Sequence, residues 1–144
     1  MIIREIEEGD YNGLMALYLH LHETEMPPFE TAKPVWEKIL ADENYHIIAA
    51  EEDGAIVSSC TVVIVPNLTR GTRPYARVEN VVTHADYRGK GFATACLNRA
   101  KEIAVSANCY NIALLTSSKK ESTLKFYESA GYSPTEKTGF IMWL

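Results

Sequence analysis

Apolar residues recur along this chain with two periods, and the points where one gives way to the other mark the predicted elements. Residues 2–6 alternate weakly, and after Asp10, taken as a helix cap, Leu14, Leu17, Tyr18 and Leu21 return at helical spacing. A strand and then a helix are expected. Met26, Pro27 and Pro28 break that helix, and a second helical pattern runs over 31–41, with Pro34 near its start and Val35, Trp36, Ile39 and Leu40 apolar. Two β-rich runs, 46–50 and 55–65, flank Glu52, Asp53 and Gly54, whose Asp-Gly pair favours the primed turn of an antiparallel hairpin. A polar loop over 67–74 leads to a strand over 75–83 and a tight polar turn over 84–90. Phe92, Cys96, Ala100, Ile103 and Ala104 then mark an amphipathic helix of about four turns ending near Asn108. A strand over 111–116 follows. The next helix passes Leu124, Phe126 and Tyr127 to Gly131, a left-handed terminator with Pro134 beyond it, and a last strand is expected over 139–144.

The order β-α-α-β-β-β-α-β-α-β predicts an α/β fold, a mixed and mostly antiparallel sheet flanked by helices. Its strand-helix-strand unit calls for local parallel pairing. At 144 residues, with no repeat or linker, one domain over 1–144 with a single sizeable core is expected. The 47% hydrophobic and 23% charged content is that of an ordinary globular protein. No run approaches about 18 consecutive apolar residues, and the N-terminus turns acidic where a signal peptide turns apolar, so a cytoplasmic protein is expected. A net charge of −5 argues against nucleic acid or an anionic membrane as partner and suits a cationic or amine-bearing small molecule. Cys60, Cys96 and Cys109 are odd in number and lack a C-x-x-C pair, so they are read as buried thiols. His20, His22, Glu23 and Glu25 lack a metal-ligand spacing, and no metal is expected.

The chemistry concentrates at the end of the 75–83 strand. Val81, Val82 and Thr83 run into His84, Arg88, Gly89, Lys90 and Gly91, and Phe92, Ala93 and Thr94 open the long helix. Glycines let the backbone approach a ligand, and the free amides and positive end of the helix attract phosphate. Arg88, Lys90, Arg99 and Lys101 stand against Asp86 alone over 81–101, a basic stretch in an acidic chain. An ordinary tight turn explains the glycines equally well. A P-loop string is absent, and Thr94 occupies the place of the third small residue of a dinucleotide fingerprint.

Arg88, Gly89, Lys90, Gly91, Phe92 and Ala93 resemble the [QR]-x-x-G-x-[GA] signature of the GNAT acetyltransferase superfamily, with Arg88, Gly91 and Ala93 at its defined positions. The preceding strand and the segment Phe126, Tyr127, Glu128, Ser129, Ala130, Gly131 and Tyr132 are similar to the family's later motifs in order and separation, so about residues 75–132 carry the likeness. The resemblance implies acetyl-CoA as cosubstrate. A splayed strand at Val81, Val82 and Thr83 would meet the acetyl and pantetheine parts, and the backbone from Arg88 to Thr94 would hold the pyrophosphate. Tyr127 is similar to the family's general acid toward the departing thiolate. Many relatives carry Asn seven residues before that tyrosine, where this chain has Lys120, a side chain able to reach a CoA phosphate. The resemblance also places His22, Glu25, Met26 and Phe29 beside the acceptor pocket and allows a homodimer. An amino sugar or its phosphate is the leading acceptor, by likeness to the glucosamine-6-phosphate acetyltransferase branch.

Attack of a neutral amine on the thioester needs a proton acceptor and an oxyanion donor. Glu79 is the first base candidate, direct or through water. Simple strand alternation sets it on one face with Arg77, Val81 and Thr83, opposite Val82. His84 is a weaker candidate in the cofactor turn, and the Val82 amide is the oxyanion donor considered. Arg70, Arg73 and Arg77 offer charge for an acceptor phosphate. A noncatalytic acyl-CoA-binding module, acetylation of a peptide amine and a redox dinucleotide domain are the alternatives.

Overall fold

The computed structural model describes residues 1–21 and 24–144. Its elements are β1 (Ile2–Glu5), α1 (Tyr11–Tyr18), α2 (Phe29–Ala41), β2 (Tyr45–Glu52), β3 (Ala55–Val65), β4 (Tyr75–Thr83), α3 (Phe92–Ser106), β5 (Ile112–Leu114) and α4 (Glu121–Ser129). One five-stranded sheet follows chain order, β1-β2-β3-β4-β5. Pairs β1–β2, β2–β3 and β3–β4 are antiparallel, and β4–β5 is parallel across the α3 crossover. The expected α/β class is thus the observed one.

Local chemistry explains the best-defined parts. Asp53 and Gly54 both adopt positive φ, 51° and 78°, so the β2–β3 hairpin turns as the Asp-Gly pair predicts. Helix α3 buries Phe92, Cys96, Leu97, Ala100, Ile103 and Ala104 against a sheet face carrying Ile48, Cys60, Val62 and Val78. On the other sheet face Tyr11, Leu14, Trp36 and Ile47 form a second cluster beneath α1 and α2. Each fully buried large apolar side chain contributes about 1.5–3 kcal/mol.

Two expectations need correction. Asp10 does not cap α1, because its carboxylate accepts two parallel bonds from Arg4, Nη1 to Oδ2 at 2.6 Å and Nη2 to Oδ1 at 2.9 Å, and the Glu7 amide at 2.7 Å. Arg4 Nε also donates to Glu51 Oε2 at 3.0 Å, so the guanidinium ties β1, β2 and the entry to α1 together. Residues 139–144 form no strand. The β4–β5 ladder ends at Leu114, and the chain passes so near it that a Cβ on Gly139 would fall 2.6 Å from Leu115 Cδ2. Beyond that point Phe140, Ile141, Met142, Trp143 and Leu144 are exposed. Both alternating sets of this run are apolar, so an edge strand built from it leaves one set in water whichever way it faces.

Candidate active site

The site begins with an irregularity in β4. Ser59 pairs with Val82 and Thr61 with Glu79, so Asn80 and Val81 together stand opposite Cys60. Asn80 absorbs the extra residue at φ 51°, a conformation that asparagine tolerates better than most side chains. This bulge resets the alternation. Ala76 and Val78 face α3, and so does Val81 after the bulge. Thr83 shares that side, its hydroxyl 2.7 Å from Ser58 Oγ. Glu79 therefore lies on the opposite face with Arg77 and Val82, a correction to the arrangement expected from simple alternation.

Just before the bulge β4 also loses its other neighbour. Its parallel pairing joins Ala76, Arg77 and Val78 to Ile112, Ala113 and Leu114 and goes no further, so the rest of β4 is unpaired on that side and forms a candidate cleft with the chain after β5. Ser58 Oγ donates to Val82 O at 2.8 Å and fixes one wall of that cleft.

At the far end of β4 the chain makes a 3-10 turn over Ala85–Tyr87, with His84 Nδ1 accepting the Asp86 amide at 3.3 Å. Gly89 and Gly91 follow at φ 73° and 86°, and Gly91 sits at the N-cap of α3. A Cβ on either glycine would meet nothing within 4 Å, so left-handed backbone rather than crowding is what calls for glycine. Ala95 N donates to Gly91 O at 3.0 Å, which leaves the preceding amides of Phe92, Ala93 and Thr94 without a helical acceptor. No acidic side chain occupies the first turn. Arg88 Nε donates to Thr83 O at 3.2 Å, and Lys90 Nζ lies 5.0 Å from the centre of the Tyr87 ring. Bare amides, the helix dipole and flanking cations fit a pyrophosphate, with open space above them.

Tyr127 on α4 packs against the α3-side cluster, its ring 5.0 Å from Phe126 and 6.3 Å from Tyr132. Burial, and then the nearby Cys60, push its pKa up, so the phenol keeps its proton at neutral pH. Lys120 is exposed at the N-cap of α4, its amide held by Ser118 Oγ at 3.3 Å. Phe29 begins α2 with its ring edge-on to Tyr11 at 4.8 Å, and Glu25 is exposed in the bend before it. His22 lies outside the described residues. Arg77 bonds through Nη1 to Ala76 O at 2.8 Å and Asn111 Oδ1 at 3.2 Å and lies over the Tyr75 ring. Arg73 donates to the carbonyls of Asn108 and Cys109, and Arg70 lies over Tyr110, so both have partners within the fold. Burial pushes the Cys60 thiol far up and Cys96 to about 11, which keeps both inert as nucleophiles.

Two shallow depressions elsewhere, one beside Ile39 and His46 and one beside Ile3 and Asn98, include no residue of the β4–α3 turn and not Tyr127. Sequence reasoning did not anticipate Tyr18, Tyr45, Ser59 and Thr61, whose hydroxyls line the sheet face beside Glu79. The one local signal was Asn80, a poor strand former inside a β-branched run.

Parting strands that lead to bare helix amides suit an extended ligand with an anionic end. Comparison with known proteins gives the family. The family model described as Acetyltransferase (GNAT) family matches residues 12–132. A glucosamine 6-phosphate N-acetyltransferase of Trypanosoma brucei brucei is 34% identical over 138 residues, covering 94% of this chain and 90% of that protein. A solved structure from Agrobacterium tumefaciens assigned to the acetyltransferases superimposes with a TM-score of 0.94 at 39% identity, with both chains fully covered. AAC(6')-Iy in complex with a bisubstrate analogue of CoA and acetylneamine shares the fold at 19% identity and a TM-score of 0.82, over 99% of this chain and 97% of its own. The chain belongs to the GNAT acetyltransferase family and is an acetyl-CoA-dependent N-acetyltransferase.

Proposed function

We propose that the domain spanning residues 1–144 transfers the acetyl group of acetyl-CoA to a primary amine of a small molecule, an amino sugar or its phosphate, by direct attack in a ternary complex. The observation that carries this reading is the β4–β5 cleft, with the Asn80 bulge along one wall and the bare amides of α3 at its end. Val81, Val82 and Thr83 line the thioester, and the Val82 amide donates to the oxyanion. The amides from Gly89 to Thr94, with Arg88 and Lys90, take the pyrophosphate, and Lys120 approaches a phosphate from α4. Tyr127 protonates the departing thiolate, and Glu79, on the other face of the sheet, receives the amine proton. The amine proton thus ends on a carboxylate, and the phenol proton on CoA sulfur.

The acceptor enters beside α1 and α2, where Glu25, Phe29 and Arg77 contact it. The Trypanosoma relative's activity supports an amino sugar phosphate as acceptor. The reaction takes place in the cytoplasm, and two copies associate. The exposed run from Phe140 to Leu144 supports self-association. Light scattering that reports a 16.1 kDa particle across working concentrations removes the dimer.

The deciding experiment is thiol release from acetyl-CoA with glucosamine 6-phosphate, glucosamine, neamine, spermidine, free amino acids and a short peptide offered in turn. Glucosamine 6-phosphate is expected to give the highest kcat/KM. A preference for spermidine or the peptide overturns the amino-sugar assignment while leaving the acyl transfer intact.

A further inference from the structure

Thr61 and Ser59 are fully buried on the acceptor face of the sheet, and among the described residues neither Oγ1 of Thr61 nor Oγ of Ser59 meets a hydrogen-bond partner. A buried hydroxyl left unmatched costs about 1–3 kcal/mol, so two of them on adjacent same-face positions of a central strand need an explanation. Their surroundings are polar. Tyr18, which ends α1, brings its hydroxyl near Thr61 and Asn80, and Tyr45 on β2 brings its own near Thr61 and within electrostatic reach of Glu79. Both phenols come near enough to Thr61 to influence it, yet neither completes a bond of acceptable geometry. Polar groups held just beyond direct reach are the usual setting of a bridging water.

Thr61 pairs directly with Glu79 across β3 and β4, so the two side chains lie on one face of the sheet. Cross-strand partners of this kind stand about 4.5–5.5 Å apart at Cβ, so a water seated on Thr61 is within reach of the Glu79 carboxylate. Arg77, two residues from Glu79 on the same strand face, is turned to Asn111 and to the ring of Tyr75, which shares that face. The phenols near Thr61 are Tyr18 and Tyr45. Burial pushes Tyr18 to about 12 and raises Tyr45, so both remain neutral donors at working pH.

We infer that Tyr18, Tyr45 and Thr61 form a water-binding pocket beneath the β4 bulge, and that its water donates a hydrogen bond to Glu79, making Thr61 and Tyr18 positioning residues for the base. The inference rests on the assignment of Glu79 as proton acceptor. A fixed hydrogen bond to one carboxylate oxygen restrains its rotation, so the pocket holds the base aimed.

The test combines a high-resolution crystal structure of the free protein with pH profiles of kcat/KM for the best amine of the panel. An ordered water bonded to Thr61 Oγ1 and Tyr18 Oη is expected; a dry pocket overturns the inference without touching the base assignment. Thr61→Val, which keeps the side-chain shape, is expected to lower kcat about 10-fold and move the acidic limb to higher pH, with KM for acetyl-CoA within about twofold. Thr61→Ser should restore the limb, and Tyr18→Phe should move it in the same direction as Thr61→Val. If Glu79→Gln abolishes the acidic limb while Thr61→Val leaves it in place, the pocket has no positioning role. If Glu79→Gln also leaves the limb in place, the base assignment fails, and the positioning role fails with it.

Discussion

Tyr127 and Glu79 lie on opposite faces of the same sheet, the phenol in the α3-side cluster and the carboxylate beside Thr61. Alternation from Val78, which faces α3, puts Glu79 on the other side, and the Asn80 bulge then returns Val81 to the α3 face. In the proposed reaction the proton donor and the proton acceptor are thus separated by β4 and can act without neutralising each other.

Removal of the phenol proton should therefore be felt in the rate. Tyr127→Phe is expected to reduce amine-dependent thiol release about 10-fold or more, with acetyl-CoA affinity little changed. Because burial raises this phenol's pKa, wild-type activity should show no loss from its ionisation between pH 7 and 9. Undiminished turnover in the variant would assign the proton donor to water.

The left-handed glycine at the start of α3 gives a second expectation. Gly91→Ala meets no steric neighbour, so its cost is that of forcing an L-residue to φ 86°, about 1–2 kcal/mol in chemical denaturation. Calorimetric titration should show weaker acetyl-CoA binding as well. Unchanged stability would mean that the turn relaxes to another conformation.

Much of this plan was legible in the sequence, and the boundary between what was and was not is physical. Asp53 and Gly54, the apolar stripe from Phe92 to Ala104 and the two glycines before it act through local backbone preference or one helix face, so their consequences follow from nearby residues. The change of side by Val81, Val82 and Thr83 after Glu79 depends on the register with β3, a property of two strands together, and no spacing within β4 reveals it. Asp10 looks like a cap until Arg4 is brought beside it by β1. The last apolar run has the composition of a strand but no ladder to join. The hydroxyls of Tyr18, Tyr45 and Thr61 come from three elements and converge only in the folded chain.

The Arg4–Asp10 pair predicts an acid response. Arg4 holds the Asp10 carboxyl below its ordinary 3.8, so the pair's contribution is present above that pH and is lost as pH falls through the lower folded-state value. Asp10→Asn should lower stability by about 1 kcal/mol at pH 7 and by less at pH 3. Urea titrations at the two pH values check this, and an equal deficit at both would show that geometry rather than charge holds the pair.

The buried phenols predict an alkaline response of opposite sign. Tyr18 and Tyr132 are pushed up to about 12, so the unfolded chain loses these protons first, from near 10. Their stabilising contribution is complete below pH 10 and disappears as pH rises toward 12, with Cys96 adding to the decline from about 9 to 11. Melting temperature should fall steeply over that window. Tyr18→Phe and Tyr132→Phe should each make the fall shallower, and a melting temperature flat to pH 12 would contradict the burial of both.

The sheet is laid down in the order in which the chain is made, each strand beside the one before it. During synthesis every new strand meets a partner that has already left the ribosome, a course that keeps unpaired edges short-lived. The cofactor cleft is the exception to this early completion. Its proposed second wall, Ile112–Leu114 and the helix Glu121–Ser129, lies near the end of the chain, so on this proposal a nascent protein acquires most of its core before it can hold acetyl-CoA. A premature stop ahead of β5 therefore removes the binding cleft while leaving most strand pairings intact.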